Sequence, residues 1–254
     1  MSGWILQAWR KGLVTTSYPT RPPTDDEVPA TGRAPSIPPG TGAGSVLAAA
    51  APLCPTSAIG PDGLQQGQCI RCARCRAAGI VFEGNAETAA TSPAALVWPG
   101  GQPLPTPSKR VAPLADLRRS VHVFLMDVGS CQACNLEVLG LANPYYDSHR
   151  LGIAFTNSPR HADILVVVGV PTTALVEPLR RTFEAMPGPK AVLAVGACAL
   201  DGGIFAGAPG TSDPVRSIVP VDLFVPGCPP PPIAVLDGLL TLLGRSRTGG
   251  GGSP

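Results

Sequence analysis

The sequence predicts an α/β protein: an open parallel sheet with helices on both faces, preceded by a smaller cysteine-bound domain. Two patterns carry that expectation. In the second half, short apolar runs ending in glycine-containing turns alternate with stretches of helical spacing, the order of parallel strands joined by crossover helices. In the first half, Pro and Gly punctuate the chain, as at Pro22-Pro23 and Pro38-Pro39, and four cysteines fall between residues 54 and 75. The 254 residues, 44% of them hydrophobic, suffice for one ordinary domain plus a smaller one.

Taken in order, residues 1–40 read as a flexible Pro-rich segment, 41–91 as the small domain, 92–115 as a Pro-rich linker, 116–243 as the sheet domain and 244–254 as a disordered tail. Within the sheet domain, Val121–Met126 is an apolar strand closed by the turn signal Asp127-Val-Gly129-Ser130. Residues Asn135–Leu141 have helical spacing, with Leu136, Leu139 and Gly140 on one side. Asp163–Gly169 reads as a buried strand, and Thr172 as the N-cap of a helix through Phe183 and Met186 whose face carries Leu175, Leu179 and Phe183. Strands follow at Lys190–Val195 and Val221–Val225, and a helix over Ile233–Leu243 closes the domain.

A net charge of +2 with 14% charged residues argues against a binder of nucleic acid driven by phosphate neutralisation. No apolar run is long enough to span a bilayer, and the N-terminus lacks a basic region followed by an apolar core, so a cytoplasmic protein is expected. In that compartment eight cysteines point to metal rather than to disulfides.

The first four are Cys54, Cys69, Cys72 and Cys75. The last three form a C-x2-C-x2-C tripod, and Cys54 is followed by Pro55. In two-cluster ferredoxins a tripod is completed by a distant Cys-Pro of the other repeat. The remaining ligands of such a pair are missing: position 79 is Gly79, and positions 44, 47 and 50 are Gly44, Leu47 and Ala50. What survives is the ligand set of one cluster. A zinc knuckle, or a surface loop with unrelated thiols, is the alternative. The other four are Cys131, Cys134, Cys198 and Cys228. They stand on turns just after predicted strands, and the C-terminal edge of an open α/β sheet is where ligands bind. Buried, inert thiols are the alternative.

Four stretches, Gly129-Ser-Cys131-Gln-Ala-Cys134-Asn-Leu-Glu137, Ser158-Pro-Arg-His-Ala-Asp163, Gly196-Ala-Cys198-Ala and Val225-Pro-Gly-Cys228-Pro-Pro230, give residues 118–243 a resemblance. This half resembles the small subunit of energy-converting, formate-hydrogenlyase-like NiFe hydrogenases, and is similar to the 20 kDa subunit of respiratory complex I. Complex I subunits typically have adjacent cysteines at the first site; the C-x2-C here favours the hydrogenase branch. The first half looks like a ferredoxin-type electron-transfer subunit, with Trp9–Pro19 resembling that family's lead-in, so a fusion of two subunits is implied. The expected fold is a flavodoxin-like parallel sheet domain preceded by a small ferredoxin-like 4Fe-4S domain.

The resemblance implies two 4Fe-4S clusters, held by Cys54, Cys69, Cys72 and Cys75 and by Cys131, Cys134, Cys198 and Cys228, and no catalytic residue in this chain. The nickel–iron site belongs by implication to a separate large subunit, with membrane-arm subunits and an electron-donor subunit or ferredoxin as further partners. That places the protein on the inner face of the cell membrane, held there by its partners. A complex I-like module that reduces quinone is one alternative; a non-catalytic, metal-stabilised scaffold is another. Glu137 is a candidate contact with the large subunit, within an exposed apolar rim that includes Tyr145 and Tyr146, or else a solvated or capping carboxylate. Arg160 and His161 could contact a partner or tune the cluster by charge, or simply lead into a strand. Lys109, Arg110, Arg118 and Arg119 read as a solvated face. The family usually has Glu near position 233, where this chain has Ile233.

Overall fold

The computed structural model describes residues 14–29, 32–38, 40–83, 86–98 and 120–245, together with Gln7, Trp9, Arg10, Gly12, Leu114 and Leu117. Most of the expected linker, the four basic residues at 109–119 and the tail from 246 lie outside the described residues.

Five parallel strands form the larger sheet: β4 (Val121–Asp127), β5 (Ile153–Phe155), β6 (Ile164–Val168), β7 (Ala191–Val195) and β8 (Leu223–Val225). Their spatial order is β5-β4-β6-β7-β8. Numbered within the domain this is 2-1-3-4-5, the flavodoxin-like order, whose switch point lies between the first and third strands. Four helices accompany it: α2 (Ala133–Leu139), α3 (Val176–Ala185), α4 (Ala197–Asp201) and α5 (Pro232–Leu242).

The strands alternate between two cores. Ile164, Val166 and Val168 pack with Val138 of α2 and with Val235, Leu236 and Leu239 of α5. Leu165 and Val167 pack with Leu179 of α3 and with Ala199 and Leu200 of α4. A strand buried on both faces must be apolar at every position, which is why β6 and β7 read as unbroken apolar runs. The short edge strand β5 and the one-turn α4 escaped the sequence reading, because three to five residues carry too little periodicity. Thr172 makes no side-chain cap; a 3-10 turn, Thr173–Leu175, intervenes before α3.

The smaller half carries α1 (Ala43–Ala50) and an antiparallel sheet of β1 (Ile59–Gly60), β2 (Gly63–Gln65) and β3 (Val97–Trp98). Residues 93–98, expected to begin a linker, thus complete this sheet. Part of the segment expected to be flexible is packed: Tyr18 is 1% exposed, and its single hydroxyl proton is shared between Asp237 (2.6 Å) and Glu87 (3.0 Å), while Trp9 and Val14 stay exposed. A tyrosine offers an apolar ring and one donor, and here both are used. The halves also pack on each other, since Ala86 and Ala89 join one core of the large sheet and Ala90 pairs with Phe224, covering the open edge of β8.

Candidate metal centre

Cys54, Cys69, Cys72 and Cys75 line one apolar cavity, together with Ile59, Leu64 and Phe82. Two non-glycine residues of the loop, Arg71 (φ 54°) and Ala73 (φ 62°), have left-handed backbone. Each costs about 1–3 kcal/mol, and the curl they impose turns successive cysteines inward. Backbone N–H groups of Ala58 and Arg71 donate to Cys54 (3.2 Å) and Cys69 (3.4 Å). Burial pushes Cys69 up to about 11, and burial with the neighbouring Cys72 and Cys54 thiols raises Cys75.

The second group assembles at the C-terminal edge of the large sheet. β4 ends in Asp127, whose carboxylate ties the next turn. One oxygen accepts from the N–H of Gly129 (2.9 Å) and Ser130 (2.7 Å); the other accepts from the Ser130 hydroxyl (2.7 Å), Gln132 (3.0 Å) and Asn135 (2.7 Å). Burial alone would raise its pKa, but these bonds outweigh it and hold the group below its ordinary value. Gln132, at φ 71°, then curls the chain between Cys131 and Cys134 as Arg71 does in the other loop. Cys198 sits in α4 after β7, and Cys228 follows β8.

These four thiols converge. Burial, then the charges of Cys228, Cys198 and Cys131, push Cys134 up to about 12. Cys198 is pushed up to about 11 by burial and by Cys228 and Cys131. Backbone closes in from behind: a Cβ on Gly196 would stand 2.6 Å from the Cys134 sulfur, and one on Gly203 3.0 Å from that of Cys198. Only glycine lets the chain lie so close to the sulfurs.

Among the described residues, no three His, Cys, Asp or Glu side chains gather tightly enough for a single metal ion. One tetrahedral zinc would draw its four sulfurs to about 3.8 Å from one another. A cubane spreads them more widely, because each thiolate caps its own iron. Four soft thiols and no carboxylate or imidazole in either set fit an iron–sulfur group, and iron would offset the raised thiol pKa values.

A family model described as NADH ubiquinone oxidoreductase, 20 Kd subunit, matches residues 131–242, from the first cysteine of the second group to the end of α5. A probable membrane-bound hydrogenase subunit of Pyrococcus furiosus is 44% identical over 136 residues, 53% of this chain and 81% of that protein. This chain belongs to the NADH ubiquinone oxidoreductase 20 kDa subunit family. As a family member it is an oxidoreductase subunit. Formate hydrogenlyase subunit 7 of Escherichia coli is 39% identical over 137 residues, 54% of each chain. A subunit of the F(420)H(2) dehydrogenase of Methanosarcina mazei is 39% identical over 109 residues, 43% of this chain and 59% of its own. The family match begins at Cys131, so the first cysteine group lies outside it.

Around this centre the remaining candidates divide. Glu137 is half-buried beside Cys134, and burial raises its pKa. The side of α2 that carries Leu136 and Leu139 points outward: Leu136 is 70% exposed and Leu139 52%, while Cys134, Asn135 and Val138 are buried. Tyr145 adds to that exposed rim and Tyr146 is partly buried against the core. Arg160 and His161 are exposed on a 3-10 turn leading into β6. That is the N-terminal edge of the strand, opposite the cysteines, so a role in tuning the second group by charge does not fit. Ile233 is fully buried in the core, where a glutamate would need a partner. Asp127, Gly196 and Arg71 were given no role from sequence, although the turn signal at Asp127 and the glycine two residues before Cys198 were both visible there. No helix among the described residues is long and apolar enough to cross a membrane.

Proposed function

We propose that the chain is the electron-relay small subunit of a multisubunit, energy-converting NiFe hydrogenase, with one 4Fe-4S cluster in each cysteine group. What supports this reading is that Cys54, Cys69, Cys72 and Cys75 line one cavity and that Cys131, Cys134, Cys198 and Cys228 act on one another, with no His in either set among the described residues. A cysteine-held cubane supplies one-electron transfer and offers substrate no open metal position. The residues then have defined tasks. The apolar wall around Cys54, Cys69, Cys72 and Cys75 excludes water; the Asp127 knot holds Cys131 and Cys134 in register; Gly196 and Gly203 bring backbone against the sulfurs.

The exposed Leu136, Leu139 and Tyr145 beside Glu137 supply a docking face for a large subunit that holds nickel and iron and turns over H2. Membrane-arm subunits and an electron donor complete the assembly, which sits on the inner face of the membrane through those partners. The relatives named as hydrogenase and formate hydrogenlyase subunits support this choice.

The test is anaerobic copurification with nickel, iron and sulfide assayed. About eight iron and eight sulfide per copy of this chain are expected, with nickel in a copurified large subunit. Cys72→Ser should remove about half of this iron yet leave part of the H2 activity with small dyes, whereas Cys198→Ser should abolish it. A nickel-free assembly that reduces quinone, or equal loss of dye-linked activity in both variants with folding intact, overturns the reading.

A further inference from the structure

Arg71 lies between Cys69 and Cys72 in sequence, but its side chain leaves that loop. The residue is 4% exposed. Its backbone N–H donates to the Cys69 sulfur at 3.4 Å, while its guanidinium reaches to the other half of the chain. One terminal nitrogen donates to the carbonyl of Pro226 at 2.9 Å and the other to the carbonyl of Gly32. Pro226 opens the Pro226-Gly227-Cys228 turn, so this residue ties the backbone of the first cysteine group to that of the second. Its charge acts on Cys69 and on Cys228, one thiol from each set. Arg71 is also the cation acting on Cys228.

Among the described residues the cation has no carboxylate against it: no ion pair involves Arg71, and its Nε is buried without an acceptor. A buried charge left unpaired is strongly penalised by its lost hydration, and two carbonyl dipoles relieve part of that. A guanidinium keeps its charge at neutral pH even when buried. Arg71 is held in left-handed backbone as well, at φ 54°. A residue kept in this position needs an anion to face. Two sets of four thiolates around iron–sulfur cores carry net negative charge, which grows by one with each electron taken up, and cluster potential follows that charge.

We propose that Arg71 is a counter-ion shared by the two clusters, raising the reduction potential of both. The inference rests on the reading that each cysteine group holds a cluster. Because the guanidinium stands between the groups, it favours an electron on either one and smooths passage from one to the other. Lysine would keep the charge; glutamine would keep hydrogen bonding without it.

The experiment uses the full chain, reconstituted anaerobically, as wild type, R71Q and R71K. Iron and sulfide are counted, and each cluster is titrated with EPR detection. R71Q is expected to make reduction of both clusters at least tenfold less favourable, which is 59 mV for a one-electron couple. R71K should hold both within threefold of wild type. A shift at one cluster only, no shift at either, or equal shifts in R71K and R71Q would overturn the proposal. Should R71Q not fold or not load, wild-type protein labelled with guanidino-15N arginine decides by pulsed EPR. Nitrogen coupling is expected on the cluster that Cys198→Ser removes, and its absence there overturns the proposal. Wild-type protein that loads fewer than two clusters overturns the functional reading and this proposal together; two loaded clusters with unmoved potentials overturn this proposal alone.

Discussion

Replacing Gly196 by alanine tests the second cysteine group through backbone alone, leaving every thiol in place. Gly196 has φ 89° and ψ 151° at the turn from β7 into α4. That region is open essentially only to glycine and costs another residue about 1–3 kcal/mol. The added Cβ would lie 2.6 Å from the Cys134 sulfur, with the Gly227 carbonyl oxygen 3.6 Å away. Cys134 is itself buried, so it has little room to retreat, and overpacking of this kind costs about 1–3 kcal/mol more. The sum, about 2–6 kcal/mol, is a large part of the 5–15 kcal/mol, roughly, that holds a domain folded. Gly207→Ala is the control: its φ is 73°, but nothing lies within 4 Å of the new Cβ. Anaerobic urea unfolding of the apo-chains should show G196A well below G207A. After reconstitution, G196A should lack about half the iron while G207A loads fully. Equal midpoints and full iron in G196A would refute the packing of Gly196 against a cluster ligand.

Three further outcomes are expected, one from the buried thiols together and two from single residues. Cys69, Cys75, Cys134, Cys198 and Cys228 all have raised pKa values, with burial the largest cause. The fold therefore favours their neutral form. Apo-chain stability should be intact below about pH 8.5, the unfolded thiol value, and fall as pH rises toward the folded values. Loaded protein, whose thiolates are already ionised, should lack that decline, and a flat apo profile from pH 8 to 10 counts against the convergence of these thiols. Asp127→Asn turns one acceptor into a donor facing donors and should cost about 2–4 kcal/mol by urea unfolding. In the wild type, the Asp127 contribution is present above about pH 3.9 and lost as pH falls through its lowered pKa; an Asp127→Asn variant as stable as wild type at pH 7 refutes the knot. Tyr18→Phe removes donation to Asp237 and Glu87 and should cost about 1.5–3 kcal/mol. It should also speed protease cleavage within residues 14–29, and unchanged cleavage would show that the segment is held by other contacts.

Much of the large domain was legible in the residues. β6 and β7 are buried on both faces, so their apolar runs needed no partner to be recognised. Cysteines after the ends of β4, β7 and β8 had to share one edge once those strands were parallel. The small elements β5 and α4 did not announce themselves, and the spacing of α2 did not say which of its sides is buried. Leu136 and Leu139 look like core from spacing alone, yet they point outward because Cys134 and Val138 take the inner face.

The sequence by itself determined the α/β alternation, the two sets of four cysteines and the strand ends that carry the second set, because periodicity and ligand spacing are local properties. Only the tertiary structure decided that Tyr18, Ala90 and Arg71 pack against the larger domain, since they find partners 219, 134 and 155 residues away. It also decided that Gly196 lies against a sulfur and that an arginine between two cysteines of one group points its charge at the other. Such placements depend on the meeting of segments distant in sequence, and no local pattern encodes the distance at which they meet.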